Sequence, residues 1–171
     1  MKKALTLVLF LGIISAIAGL GVGAVNSITA PLIEERLLAA ERENLELMFP
    51  GAEFSAIEGV SDEGGYVTGV FEVANEGYAV KMETTGYSSS TPIILLVGFD
   101  NDGVITNVMA LQEQETDGYG SRVFEDDNIQ SAYVGKGLDD TVDLLSGATV
   151  TSTAVQNAIT SAQAMLKDII G

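Results

Sequence analysis

PIILLVGFDNDGVITNVMALQE, residues 92–113, reads as two strands joined by a turn. Its first half, PIILLVGFD, is almost continuously apolar, the mark of a strand covered on both faces. That strand belongs at the centre of a sheet. Asp102-Gly103 supplies a hairpin turn, and VITNVMALQE returns beside its predecessor. Upstream, YVTGVFEVA (66–74) and GYAVKMETTG (77–86) alternate and carry aromatic and β-branched residues, so residues 52–115 form a β-rich block. Downstream, residues 121–145 are acidic and short-helical in pattern. From about Thr153 onward, Ala154, Val155, Ala158, Ile159, Ala162, Met165, Leu166 and Ile169 recur at helical spacing. That apolar stripe packs on the sheet. The pattern predicts an α+β fold, a twisted antiparallel sheet with helices laid on it.

The N-terminal part follows different rules. Ala4 to Val25, ALTLVLFLGIISAIAGLGVGAV, contains no charged residue. A run of roughly 22 residues spans about 33 Å as a helix, enough to cross a bilayer and longer than the apolar part of a signal peptide. Lys2 and Lys3 precede it, which by the positive-inside rule keeps the N-terminus cytoplasmic and the rest periplasmic or extracellular. After Asn26–Pro31, LIEERLLAAERENLELMF predicts a connecting helix from Leu32 to Phe49, with Leu38, Leu45 and Met48 near one face and Pro50-Gly51 ending it. Three parts result: residues 1–31 as cytoplasmic flank and single transmembrane anchor in the cytoplasmic membrane, 32–50 as connecting helix, and 51–171 as the folded domain.

The chain has a formal charge of −16, and all 24 acidic residues lie beyond the first apolar run. Such a surface repels nucleic acid phosphates, so no nucleic acid partner is expected, while membrane lipid is in contact with the anchor. There is no Cys and no His, which excludes iron–sulfur ligation by this chain, thiol chemistry, and histidine-ligated haem or zinc. The usual nucleophile–base pairs built on Cys or His are excluded too, and no nicotinamide-binding glycine fingerprint is visible. The chain is therefore not an enzyme on its own, and any redox role needs a cofactor held by other means. The expected metal ligands and catalytic residues are none.

The stretch that carries chemistry is LLSGATVTSTAVQNAI, residues 144–159. Ser146, Gly147 and Ala148 lead into hydroxyl-rich residues that open a helix. Exposed amides at a helix N-terminus favour an anion, and Gly147 with Ala148 leaves room for a bulky group beside Thr149, Val150 and Thr151. The residues alone leave two readings open: a phosphate site, or plain N-capping, the commoner use of such hydroxyls.

Ser146-Gly147-Ala148-Thr149-Val150-Thr151 resembles the S-G-A-[TS]-x-T flavinylation motif of the FMN-binding domain family. Glu115-Thr116-Asp117-Gly118-Tyr119-Gly120 is similar to its E-T-P-G-L-G loop, with Asp117 in place of proline and Tyr119 in place of leucine. Gly86-Tyr87 and the 92–108 stretch also look like the family, and the order of features agrees along nearly the whole chain. The resemblance is to the G subunits of Rnf complexes and, less closely, to the C subunits of Na⁺-translocating NADH:quinone oxidoreductases. It implies an FMN joined by a phosphoester to Thr151; Gly147 through Thr151, with Ser146 beside them, are then expected to hold the phosphate end, and the Glu115–Gly120 loop, with Glu115, Thr116, Gly118 and Gly120, to border the ring. It further implies an electron carrier within a translocase coupling electron transfer between ferredoxin and NAD to Na⁺ or H⁺ movement. The implied partners are membrane-embedded and iron–sulfur subunits, and a separate FMN transferase using FAD. A membrane-anchored binding or assembly module without a redox cofactor is the alternative outside this class.

Overall fold

A computed structural model describes residues 2–171, and the side chains of 9–30 and 39–171. The chain divides into two compact units, one ending at Glu43 and the other spanning Asn44–Gly171. The first helix, α1, runs Lys2–Met48. The expected break at Asn26–Pro31 is absent, and the helix passes through Pro31. A proline there removes a single intrahelical hydrogen bond. Local bonding continues on its N-terminal side, where Ser27 and Thr29 hydroxyls donate to the carbonyls of Ala24 and Val25. Within α1, Leu9–Ala30 is a candidate membrane span with mean hydropathy 2.0 and no buried residue. Its leucines, isoleucines and valines stand open to the surroundings, Leu20 and Ile28 by about three quarters of their surface. So continuous an apolar surface calls for a lipid or protein cover. Lys2, Lys3 and Leu38 lie outside the described side chains.

The second unit is the α+β domain. Strands β1 (Phe54–Ala56), β2 (Val67–Val73), β3 (Gly77–Thr84), β4 (Ile93–Phe99) and β5 (Ile105–Gln112) form one antiparallel sheet in the order β1-β2-β3-β4-β5. Every neighbour in sequence is a neighbour in space, so no connection has to cross the sheet. At the turn expected near Asp102-Gly103, Asp100 Oδ1 accepts the amides of Asp102 and Val104, and the Gly103 N–H closes on the Asp100 carbonyl.

β4 is flanked by a strand on each side and covered on both faces, as its unbroken apolar sequence requires. On one face Leu95, Val97 and Phe99 join Val80, Met82 and Val108 against helix α3, Thr149–Ile170, through Val155, Ala158, Ile159, Ala162 and Leu166. On the other face Leu96, Phe71, Val73 and Ala79 meet Leu45, Met48 and Phe49. Gly98 makes this second contact possible, because a Cβ there would come within 2.8 Å of the Phe49 ring. The last turn of α1 and Phe49 are therefore core. Phe49→Ala is expected to cost about 3–5 kcal/mol in urea denaturation of the domain, the usual loss for emptying a buried phenylalanine site. A loss near zero would show that this face closes without it.

The acidic stretch after β5 holds 3-10 turns at Gly120–Val123 and Glu125–Asp127, then a short helix α2, Asn128–Tyr133. Residues 134–148 carry no helix or strand. Asp62 ties the start of β2 to α3: its carboxylate accepts the amides of Tyr66 and Val67 and the hydroxyl of Ser161. Burial pushes its carboxyl up, but these bonds outweigh it and hold the group below the usual carboxylate range.

The helix α3 begins at Thr149, not near Thr153. The apolar stripe predicted the later start because Thr151 and Ser152 break it. They nonetheless occupy the buried face, since their hydroxyls find partners inside: Ser152 donates to the carbonyl of Ala148, Thr151 to a carboxylate. A satisfied hydroxyl sits in a core at little cost, so the helix extends by one more turn. None of these hydroxyls caps it, and Ala148 occupies the N-cap position.

Candidate functional site

Thr151 exposes no surface and is the most deeply placed hydroxyl of the first turn of α3. Its Oγ1 donates a 2.6 Å hydrogen bond to Oε2 of Glu115 and accepts the Tyr87 N–H at 3.1 Å. Glu115 is itself buried, and its carboxylate also accepts the Tyr87 N–H at 3.0 Å and the Ser88 N–H at 3.2 Å. Three separate segments thus meet at one point. Helix α3 brings the hydroxyl, the chain leaving β5 the carboxylate, and the chain leaving β3 the two amides. A buried carboxylate is tolerable where donors surround it, and here three do.

The close approach depends on Gly120. A Cβ at that position would overlap Oε2 of Glu115 and stand 2.6 Å from Oγ1 of Thr151. The turn that delivers Gly120 is local: the Tyr119 N–H bonds the Thr116 carbonyl, and the Gly118 N–H bonds the Ser121 hydroxyl. Gly118 takes a φ of 74°, which its lack of a Cβ permits.

Above Thr151 lies a cavity of about 240 Å³ lined by Tyr87, Tyr119, Gly120 and Gly147 through Thr151. The Tyr87 and Tyr119 rings stack at its rim, centroids 5.7 Å apart and 11° from parallel, and both are more than half exposed. Because Thr151 floors the cavity yet meets no bulk solvent, a reagent reaches Oγ1 only if rim residues give way. The first turn of α3 turns its amides towards the same region. Those N–H groups have no intrahelical acceptor, and the helix dipole adds positive potential there. Gly147, at a φ of 84°, lets Arg122 pack against it; a Cβ would stand 2.5 Å from the guanidinium, which donates to the Ser146 carbonyl at 3.2 Å. A cation beside a helix N-terminus, in a domain otherwise rich in carboxylates, suits a phosphate group.

The residues of the two motifs are distributed as follows. Gly147, Ala148, Thr149, Val150, Thr151 and Gly120 line one cavity, and Glu115 lies directly beneath it. Ser146, Thr116 and Gly118 are off its walls. Ser146 meets Arg122 through its carbonyl, while Thr116 and Gly118 shape the turn. Sequence reasoning named Tyr87 and Tyr119 within the resembling stretches but did not pair them, and it did not single out Arg122. No spacing rule connects residues as far apart as 87 and 119, and Arg122 sits in a stretch that reads as a solvated acidic surface.

The cavity has room for a phosphoryl group and the atoms next to it, but falls below the roughly 300–1,000 Å³ of sites that engulf a whole cofactor. A flavin fixed there would keep its ring near the mouth, beside two aromatic faces. Among the described residues no cluster of acidic side chains has metal-site geometry. No curated protein matches the chain. Residues 86–164, which contain Thr151, Glu115, Arg122 and the whole cavity wall, match the family model of the FMN-binding domain, and the match supports a flavin-binding, electron-carrying role.

Proposed function

We propose that this chain is a covalent flavin carrier, with FMN held by a phosphoester to Thr151, serving a membrane complex of the Rnf type. The observation that carries the reading is the buried Thr151 hydroxyl on the floor of a phosphate-sized cavity, at a helix N-terminus, inside the matched region. In this reading the first-turn amides of α3 and Arg122 hold the phosphate, and Tyr87 and Tyr119 border the ring. When bound, the flavin supplies one- or two-electron exchange, and the protein supplies its position and surroundings. A tether keeps the cofactor from being lost outside the membrane.

The N-terminal span anchors the chain in the cytoplasmic membrane, with its N-terminus inside and the flavin domain outside. Residues 1–31 and 32–50 act as anchor and connecting helix for the flavin domain of 51–171, with Leu45, Met48 and Phe49 of the connecting segment packed into that domain's core. Iron–sulfur and membrane-embedded subunits exchange electrons with it and carry the Na⁺ or H⁺ path, because an apolar helix without charges offers no ion relay. A separate transferase delivers FMN from FAD.

Intact-protein mass spectrometry and peptide mapping of chain purified from its native membrane test the attachment. The expected result is an excess equal to FMN less one water, on the peptide containing Thr151. An unmodified mass in native material would overturn the reading in favour of a binding module without a redox cofactor.

A further inference from the structure

We infer that Glu115 is the general base for flavin attachment: it takes the Thr151 hydroxyl proton as Oγ1 forms its bond to phosphorus. The inference rests on the proposed attachment at Thr151 and assigns a catalytic task within it to the acceptor chain itself, in addition to whatever the transferase contributes.

A threonine hydroxyl is a weak nucleophile at neutral pH and needs a base within hydrogen-bond reach. Among the described residues the carboxylate that meets this one is Glu115, whose Oε2 accepts the Oγ1–H at 2.6 Å. The hydroxyl is oriented as well as bonded. One of its lone pairs accepts the Tyr87 N–H, its proton points at Glu115, and one lone pair remains for phosphorus. The carboxylate is held in turn by the amides of Tyr87 and Ser88, so it does not rotate away. Of the other hydroxyls opening α3, Thr149 and Thr153 have no carboxylate partner, and Ser152 donates to the carbonyls of Ala148 and Thr149. Thr149 lines the same cavity and is exposed, yet it lacks the base.

The step balances. Oγ1 of Thr151 bonds to the FMN phosphorus of FAD, the bond from that phosphorus to the bridging pyrophosphate oxygen breaks, and AMP leaves with the oxygen and its electron pair. The Oγ1 proton passes to Glu115 Oε2. No electron is gained or lost. The transfer also solves an electrostatic problem of the product, where an ionised Glu115 and an anionic phosphodiester would otherwise lie buried side by side. A neutral carboxyl there becomes a hydrogen-bond donor to the ester.

The test uses the full chain in detergent, a flavin transferase and FAD, with covalent labelling followed by mass in single-turnover reactions. Glu115→Gln keeps the size of the side chain and one acceptor oxygen but cannot take the proton. Its labelling is expected to slow at least about 100-fold, the low end for general-base catalysis, with the FAD dependence close to wild type and the urea midpoint lowered, because the amide NH2 meets the Ser88 N–H that the carboxylate accepted. Labelling of Glu115→Gln at the wild-type rate overturns the assignment. If the Gln variant does not fold, Glu115→Asp reports instead. It draws the carboxylate back from Oγ1, so a folded variant labels more than 10-fold slower at saturating FAD, and a wild-type rate again overturns the inference. A wild-type chain that takes no label on Thr151 overturns the attachment reading itself, and this inference with it.

Discussion

Thr151→Ala is expected to carry no covalent flavin, and Thr151→Ser to carry it at the same position. The alanine variant removes the hydroxyl oxygen that, alone among the described residues, combines burial, a carboxylate partner and a place on the cavity floor. Its neighbours do not substitute. Thr149 is exposed and Thr153 half-buried, and Thr153 lies outside the cavity. The fold should survive. Glu115 keeps the Tyr87 and Ser88 amides, so the loss is the bond from Oγ1 to Glu115, the Oγ1 share of the Tyr87 N–H and one small void, about 1–3 kcal/mol against the roughly 5–15 kcal/mol of an ordinary domain. In-gel flavin fluorescence with peptide mapping gives the answer, and urea denaturation checks the fold. Flavin found on Thr149 or Thr153 of a folded Thr151→Ala chain would mean that the hydroxyl is chosen by the transferase's reach, not by the pocket. Full labelling of that variant would remove Thr151 from the site.

How much of this was open to sequence reasoning depends on the range of the physics involved. The 92–113 hairpin is local: an apolar run, an Asp-Gly turn and a return strand fix their own pairing, and the structure has that pairing at β4 and β5. The amphipathic register of α3 is local too, and its buried positions follow the apolar repeat from Val155 to Leu166. Its first turn was not legible, because a buried threonine is intelligible only once its partner is known, and Glu115 lies 36 positions away. The tyrosine pair is hidden for the same reason. Residue identity marks Thr151 and Glu115 as members of two resembling motifs, but only the meander, by setting the end of β3 and the end of β5 beside α3, puts them 2.6 Å apart. The passage of α1 through Pro31 went the other way. Sequence reasoning read a spanning helix over Ala4–Val25 and a second helix from Leu32, whereas α1 is continuous from Lys2 to Met48, the one hydrogen bond missing at Pro31 not being enough to stop it.

Gly120→Ala should lose both stability and flavin, and the pairing of the two losses is the informative part. The φ of Gly120 is not in the left-handed region, so the backbone itself accepts alanine. The obstacle is space. The new methyl overlaps Oε2 of Glu115 and crowds Oγ1 of Thr151, and on its other side the residue is buried in the turn, which leaves it little freedom to retreat. Either the carboxylate swings out, leaving the Tyr87 and Ser88 amides and the Thr151 hydroxyl short of an acceptor, or the 116–121 turn shifts away from α3. Each route costs about 2–4 kcal/mol, the usual range for overpacking combined with buried donors left unpaired. Each also separates Thr151 from its carboxylate, so covalent labelling should fall at least about 10-fold, by the logic of a displaced general base. Gly118→Ala supplies the contrast. It has nothing within 4 Å of the added methyl and pays only for its positive φ, about 1–2 kcal/mol, with labelling kept. If Gly120→Ala loses stability but labels as fast as wild type, the Glu115–Thr151 contact is a packing device without a part in attachment. If both glycine variants lose label alike, the transferase reads the shape of the loop, and the contact beneath it matters less than the surface above.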